Sequence, residues 1–151
     1  MGALTLHLGC GPVPMPNAVN VDKIAIGGVD VVHDLDVTPW PFDAGQFQEV
    51  KAQHLFEHVA DPVAFMAECW RVLRPGGLLL LRVPHYQSEQ AYTDPTHVRF
   101  CTLHTFDYWC RGTDLYHQYG SQMARGGYIY DYEIRVVTEG DVIAVLRKVV
   151  E

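Results

Sequence analysis

The feature that most constrains the fold is a helix that runs directly into a buried strand, over residues 61–83. Asp61 suits a helix N-cap and Pro62 suits the first helical position. Apolar side chains then recur at helical spacing, at Val63, Met66, Ala67, Trp70 and Leu73. Pro75-Gly76-Gly77 ends the helix, and Leu78–Val83 is an apolar strand of the kind that parallel sheets bury on both faces. This order predicts an α/β fold.

Shorter strands precede this unit and a hairpin follows it. The early strands are predicted at Leu4–Leu8, Ala18–Val21, Val29–His33 and Glu49–Ala52. Pro12, Pro14 and Pro16 reduce what would be the first helix to a proline-rich loop. We also expect a helical turn at Gln53–His58, a helix at Thr102–Cys110 and strands at Tyr128–Val137 and Val142–Val150. The pattern predicts one domain over 1–151, with a mostly parallel sheet and a C-terminal antiparallel hairpin.

Composition and charge restrict the classes of partner. The 151 residues carry a formal net charge of −7 with scattered basic residues, which argues against nucleic acid as a partner. Apolar runs such as Leu78–Leu81 are too short to span a membrane, and no secretory leader is expected. The four cysteines form no C-x-x-C pair, which favours a reduced, cytoplasmic protein. The terminal hairpin could pair two copies into a homodimer.

Turns and acids that suit a ligand follow the first four predicted strands. Gly9-Cys10-Gly11 follows the first strand, and Asp22 follows the second. Asp34-Leu35 and Gln53-His54 follow the third and fourth. Ligands of open α/β sheets bind beyond the carboxyl ends of the strands, so these residues predict a binding site. Alternatively, Asp22 is a solvated turn residue and Asp34 a loop acid.

These residues resemble the class I S-adenosylmethionine-dependent methyltransferases, in particular the small type 11-like branch, over residues 4–110. The similar segments are Leu6–Gly11, Asn20–Asp22, His33–Leu35, His54–Val59 and Arg71–Gly77. The resemblance implies a Rossmann-like fold and S-adenosylmethionine as the cofactor. It implies that Gly9, Cys10 and Gly11 lie at the methionine part, Asp22 at the ribose, Asp34 and Leu35 at the adenine, and His54 along the cofactor's other side. His7 and Val13 depart from the family, which usually has an acid and a third glycine there.

The segment from His85 to Phe100 is rich in histidine, aromatic and polar residues and follows the central strand. We expect His97 to be the base that accepts a proton from the methyl acceptor, with Asp94 orienting it and His85 as a further catalytic candidate. The acceptor is expected to be a small molecule or a glycan. Alternatively, the segment is a structural lid.

Two further functions remain open. The first is a protein that binds S-adenosylmethionine without catalysis. The second is a metal-dependent variant whose ligands come from His85, Asp94, His97 or His104, although our primary expectation is a site without metal. A third pattern, the H-x-x-E-H of His54–His58, matches zinc proteases. Those enzymes need it on a long helix, so we expect Glu57 and His58 to fix local packing instead.

Overall fold

The computed structural model describes residues 4–123 and 127–151. The strands are β1 (Thr5–Leu8), β2 (Ala18–Asp22), β3 (Val31–Val32), β4 (Phe47–Gln53), β5 (Leu73–Pro84), β6 (Ile129–Thr138) and β7 (Asp141–Val149). The helices are α1 (Pro62–Val72), α2 (Gln90–Thr93) and α3 (Asp114–Met123), with a single 3₁₀ turn at Asp107–Trp109. No helix of the described residues is long and apolar enough to cross a membrane.

One seven-stranded sheet organises these elements, in the order β3-β2-β1-β4-β5-β7-β6. The first five strands of that order pair in parallel, and β7 pairs antiparallel with both β5 and β6. The predicted mostly parallel sheet with a reversed hairpin is therefore confirmed. The parallel strands all end at one edge of the sheet, so the loops after β1, β2, β3 and β4 meet there.

Helix α1 begins as the sequence predicts and ends at Val72, one residue before the predicted Leu73. The Asp61 Oδ1 atom accepts hydrogen bonds from the backbone N–H groups of Val63 and Ala64, each at 3.0 Å. Strand β5 starts at once, at Leu73, and passes through the glycine pair. A Cβ atom on Gly77 would lie 2.9 Å from the carbonyl oxygens of Arg74 and Gln48, so this bend tolerates only glycine.

The proline-rich loop after β1 contains no helix, as predicted. Two side chains elsewhere in this half of the chain face inward. His7 is buried, and its Nδ1 atom lies 3.0 Å from Oδ1 of Asn20. Trp40 is also buried, packs edge-on against Phe65 and donates from Nε1 to the carbonyl of Leu35. Trp40 is therefore a core residue.

Three predictions of secondary structure are wrong. The helix expected at Thr102–Cys110 is only a 3₁₀ turn, whose Asp107 carboxylate accepts hydrogen bonds from Tyr132 and Arg135 of β6. That long-range pairing holds the turn against the hairpin. Helix α3 has no counterpart among the predictions, and the predicted third strand of five residues is two residues long. The segment Gln53–His58, expected as a helical turn, is the last residue of β4 followed by hydrogen-bonded turns.

Candidate active site

The turn after β1 contains two glycines with positive φ angles, and the side chain of Leu55 packs against it. Gly9 and Gly11 have φ angles of +61° and +51°, a region that glycine occupies without strain. A Cβ atom on Gly9 would lie 3.0 Å from Leu55 Cδ1. Cys10 is buried between them, and burial together with the nearby Asp22 carboxylate raises the pKa of its thiol. Cys10 therefore stays protonated and packs as a small apolar residue.

The carboxylate of Asp22 links the ends of β1 and β2. Its Oδ2 atom accepts a hydrogen bond from the Gly11 N–H at 2.9 Å, and its Oδ1 atom accepts one from the Ile24 N–H at 3.0 Å. A carboxylate has about four acceptor positions, so two remain for a ligand. Asp22 thus positions the glycine turn as well as facing the cleft described next.

A cleft opens at this edge of the sheet, and we call it the glycine cleft. It is lined by Gly9, Asp22, Lys23, His33, Asp34, Leu35, Asp36, Leu55, His58 and Val59. The Asp34 carboxylate accepts a hydrogen bond from the Asp36 N–H, and the Asp36 carboxylate accepts one from the Ala60 N–H. These two hydrogen bonds hold the loop after β3 in place.

The H-x-x-E-H motif lies in a tight turn after β4. His54 has a φ of +51°, and its N–H donates to the carbonyl of Arg82 in β5 at 2.8 Å. Because the motif is not helical, its two histidines do not have the one-turn helical spacing of zinc proteases, as expected. The side chains of Glu57 and His58 are instead presented at the carboxyl end of β4.

The segment after α2 is attached to this turn. The Val98 N–H donates to the carbonyl of Glu57 at 2.9 Å. The Arg99 guanidinium donates to the carbonyl of Phe56 and lies over its ring, 5.2 Å from the centroid. These contacts bring His97 and Asp94 against a turn that is about forty residues away in the sequence.

A second cleft, which we call the histidine cleft, lies where the two segments meet. It is lined by His54, Glu57, His58, Pro84, Gln90, Thr93, Asp94 and His97. Glu57 Oε1 lies 3.8 Å from His54 Nδ1 and 3.9 Å from the Nε2 atoms of His58 and His97. His58 lines both clefts, so a ligand in the glycine cleft is next to one in the histidine cleft.

Burial sets the protonation of the acids and bases in this second cleft. Glu57 is only 1% exposed, and this burial raises the pKa of its carboxyl to about 7. Burial also lowers the pKa of His58, and the neighbouring His97 lowers it further. Hydrogen bonds from the Thr96 hydroxyl and N–H hold the pKa of the exposed Asp94 below its usual value. Asp94 is therefore a carboxylate at neutral pH, whereas Glu57 keeps its proton to a much higher pH than an exposed glutamate does.

The residues predicted from sequence divide between the two clefts. Gly9, Asp22, Asp34 and Leu35 line the glycine cleft, with Cys10 and Gly11 in the turn behind it. His54 lines the histidine cleft, together with His97 and Asp94.

Two predicted histidines lie outside both clefts. His85 lies against Tyr86, and its Nδ1 atom accepts from the N–H of Gln87. His104 pairs with Asp107 at the 3₁₀ turn. The structure therefore separates these two candidate metal ligands from Asp94 and His97.

Sequence reasoning missed the part that Glu57 and His58 have in the histidine cleft. The expectation that Glu57 and His58 fix local packing stays a prediction, and both residues also line the histidine cleft, where the Glu57 carboxylate makes no hydrogen bond within the described residues. The signal was present in the sequence. Glu57 and His58 follow a strand end, where site residues of parallel sheets collect.

Comparisons with known proteins give one domain family and one curated relative. A methyltransferase domain family matches residues 13–81. An uncharacterised 37.1 kDa protein in a transposon of Streptomyces fradiae is 34% identical over 148 residues, which is 82% of this chain and 41% of that protein. The chain thus spans about two fifths of the length of that curated relative.

Solved structures share the fold at low identity. A Methanosarcina mazei S-adenosylmethionine-dependent methyltransferase has a TM-score of 0.60 and 14% identity, over 97% of this chain and 92% of that one. The 1,6-didemethyltoxoflavin-N1-methyltransferase of Burkholderia thailandensis, solved with S-adenosylhomocysteine bound, has a TM-score of 0.61 and 13% identity, over 99% and 72%. The [4+2]-cyclase SpnF has a TM-score of 0.66 and 15% identity, over 99% and 76%. The domain match and these structures show a methyltransferase-like sequence over residues 13–81 and a Rossmann-like fold shared with S-adenosylmethionine-dependent methyltransferases.

Proposed function

We propose that this protein transfers a methyl group from S-adenosylmethionine to a hydroxyl group of a small molecule or glycan bound in the histidine cleft. The observation that carries the proposal is the junction of the two clefts at the end of β4, where His58 lines both. The glycine cleft suits the cofactor, and the histidine cleft is open to solvent and lined by polar groups that suit a hydroxylated acceptor. The chain is proposed to act in the cytoplasm, since its four cysteines are free and buried.

The residues of the glycine cleft fit the cofactor. Asp22 retains acceptor positions for ribose hydroxyls, and the φ of Gly9 leaves the methionine part room beside the turn. Asp34 and the backbone of Leu35 suit the adenine, and His54 borders the far side. When bound, S-adenosylmethionine supplies the electrophilic methyl group. The protein's contribution is to hold the acceptor oxygen in line with it.

His97 is suited to accept the proton of the acceptor hydroxyl. Its Nδ1 atom lies 2.8 Å from the carbonyl of Ala91, which can only accept, so Nδ1 carries the hydrogen. In the neutral imidazole the Nε2 atom is then the acceptor, and it lies 3.7 Å from Asp94 Oδ2 at the cleft. Asp94 stabilises the imidazolium that forms when Nε2 takes the proton. His85 lies outside the cleft and stays a second candidate.

The test measures cofactor binding and turnover in the same preparations. Wild type, His97→Ala and the control His117→Ala, which alters an exposed histidine of α3, are assayed against a panel of hydroxylated acceptors. We expect His97→Ala to bind S-adenosylhomocysteine normally and to lose turnover by about 10²–10⁴-fold. Cofactor binding by wild type without turnover on any acceptor would favour the non-catalytic alternative. Parallel loss of binding and thermal stability in His97→Ala would favour the structural lid.

A further inference from the structure

In the histidine cleft, two histidine side chains face one buried carboxyl group. His97 donates from Nδ1 to the carbonyl of Ala91, which leaves its Nε2 lone pair pointing toward Glu57. His58 behaves in the same way. Its Nδ1 atom lies 3.1 Å from the hydroxyl oxygen of Thr96, and that hydroxyl donates to Asp94 Oδ1 at 2.6 Å. The Thr96 oxygen therefore accepts from His58, whose Nε2 lone pair also faces the cleft.

The acid at the centre of these lone pairs has no partner. Glu57 is 1% exposed, and neither of its carboxylate oxygens has a hydrogen-bond partner among the described residues. The distances of 3.9 Å from Glu57 Oε1 to each histidine Nε2 atom are too long for hydrogen bonds. Buried polar atoms are normally satisfied, so a further group, a water molecule or a cation, is expected between the three side chains.

We propose that Glu57, His58 and His97 form a binding site for a divalent metal ion. One ligand atom from each of the three lies within 4.8 Å of the others. Metal–ligand bonds of about 2.0–2.2 Å in a tetrahedral site place ligand atoms roughly 3.3–3.6 Å apart, so a small closure of the three side chains completes the site. Asp94 Oδ2, at 3.7 Å from His97 Nε2 and 3.9 Å from His58 Nε2, is placed to be a fourth ligand.

The ligand set indicates the class of ion. Two imidazole nitrogens with carboxylate oxygens suit zinc, cobalt, iron or manganese better than calcium or magnesium, which prefer oxygen ligands alone. The hydrogen bonds from His97 to Ala91 and from His58 to Thr96 are the kind of supporting contact that fixes metal-ligating histidines. The exposed side of the site, at Asp94, leaves room for a further ligand from solvent or substrate.

The next step rests on the proposed methyl transfer. An acceptor hydroxyl that coordinates the ion at its open side has a lowered pKa and releases its proton to solvent water. In that case His97 is a ligand of the ion and no longer the base. The ion, rather than the Nε2 atom of His97, then promotes loss of the hydroxyl proton. Because His58 also lines the glycine cleft, the coordinated oxygen is next to the cofactor.

The test is a titration of chelator-treated protein with Co²⁺, followed by visible absorption and calorimetry. We expect one equivalent to bind with absorption bands of nitrogen and oxygen coordination, and Zn²⁺ to displace it. Glu57→Gln and His97→Ala should each weaken binding by at least about tenfold, whereas His117→Ala should bind as wild type does. Failure of wild type to bind Co²⁺ saturably, or equal affinity in all four proteins, would overturn the site.

Two further variants keep the outcomes separate. Asp94→Ala alters an exposed side chain, so it tests the ligand set even where a core variant fails to fold, and its Co²⁺ spectrum should differ from that of wild type. An unchanged spectrum removes Asp94 from the set. Asp22→Ala should bind Co²⁺ normally while losing cofactor affinity. Co²⁺ binding without methyl transfer to any acceptor would leave the metal site standing and reject the proposed function alone.

Discussion

Asp22 gives the sharpest test of how the cofactor is held. Its carboxylate accepts hydrogen bonds from the N–H groups of Gly11 and Ile24, and two acceptor positions remain for ribose hydroxyls. Substitution by alanine removes the contacts with these N–H groups and also the acceptor positions for the ribose. A hydrogen bond to a charged group contributes about 1.5–3 kcal/mol, so we expect Asp22→Ala to raise the Kd for S-adenosylhomocysteine by about 10- to 150-fold.

A modified ligand separates the ribose contact from the turn contact. The assay is calorimetric titration of wild type and Asp22→Ala with S-adenosylhomocysteine and with its analogue that lacks both ribose hydroxyls. Wild type should discriminate strongly between the two ligands, and Asp22→Ala should discriminate little, because the residue that reads the hydroxyls is gone. Asp43→Ala removes an exposed acid elsewhere and serves as the charge-matched control.

The reasoning fails if the substitution weakens both ligands by the same factor. In that case Asp22 acts only through the N–H of Gly11 and stabilises the glycine turn. A matching drop in the midpoint of thermal unfolding would then locate the whole effect in the turn.

Two further predictions concern acids elsewhere in the chain. Asp34→Asn should weaken binding of S-adenosylhomocysteine, but it should weaken binding of the inosine analogue much less, since that analogue lacks the adenine amine. Equal losses of affinity in calorimetry would mean that Asp34 acts only by accepting the hydrogen bond from the Asp36 N–H. Burial alone would raise the pKa of Glu68, but hydrogen bonds from Arg71 and the Trp40 N–H outweigh it and hold that pKa below its usual value of 4.5. The stabilisation that Glu68 contributes is therefore present above about pH 4.5 and is lost as the pH falls through the pKa of Glu68 in the folded protein. We expect Glu68→Gln to reduce the free energy of unfolding by about 1–3 kcal/mol at pH 7, and by progressively less in acid. Denaturant titrations that show the same deficit at every pH would contradict the pairing of Glu68 with Arg71.

Local chemistry explains which elements the sequence predicts well. Helix α1 has an N-cap at Asp61, a proline at its first position and glycines after it, so each boundary is encoded within a few residues. The apolar run of β5 is likewise recognisable from neighbouring residues alone. The 3₁₀ turn at Asp107 is different, because partners on β6, Tyr132 and Arg135, fix its conformation from 25 and 28 residues away. No pattern within the segment reports such contacts.

The candidate site divides in the same way. The glycine turn and Asp22 lie at strand ends that periodicity identifies, so their shared edge follows from the predicted sheet. The meeting of Glu57 and His58 with His97 depends on Val98 and Arg99 binding the turn after β4. That attachment is a tertiary contact between two irregular segments, and spacing in the sequence does not reveal it.

The position of β7 has a consequence for the order in which the site forms. Strand β7 lies inside the sheet, between β5 and β6, and its first residue, Asp141, contacts both Arg82 and His54. Strand β5 therefore gains its second neighbour only after β6 and β7 have both been synthesised, although the residues that line the histidine cleft all precede these strands in the sequence. The contact of Asp141 with the turn after β4 is thus one of the later steps in building this edge of the sheet.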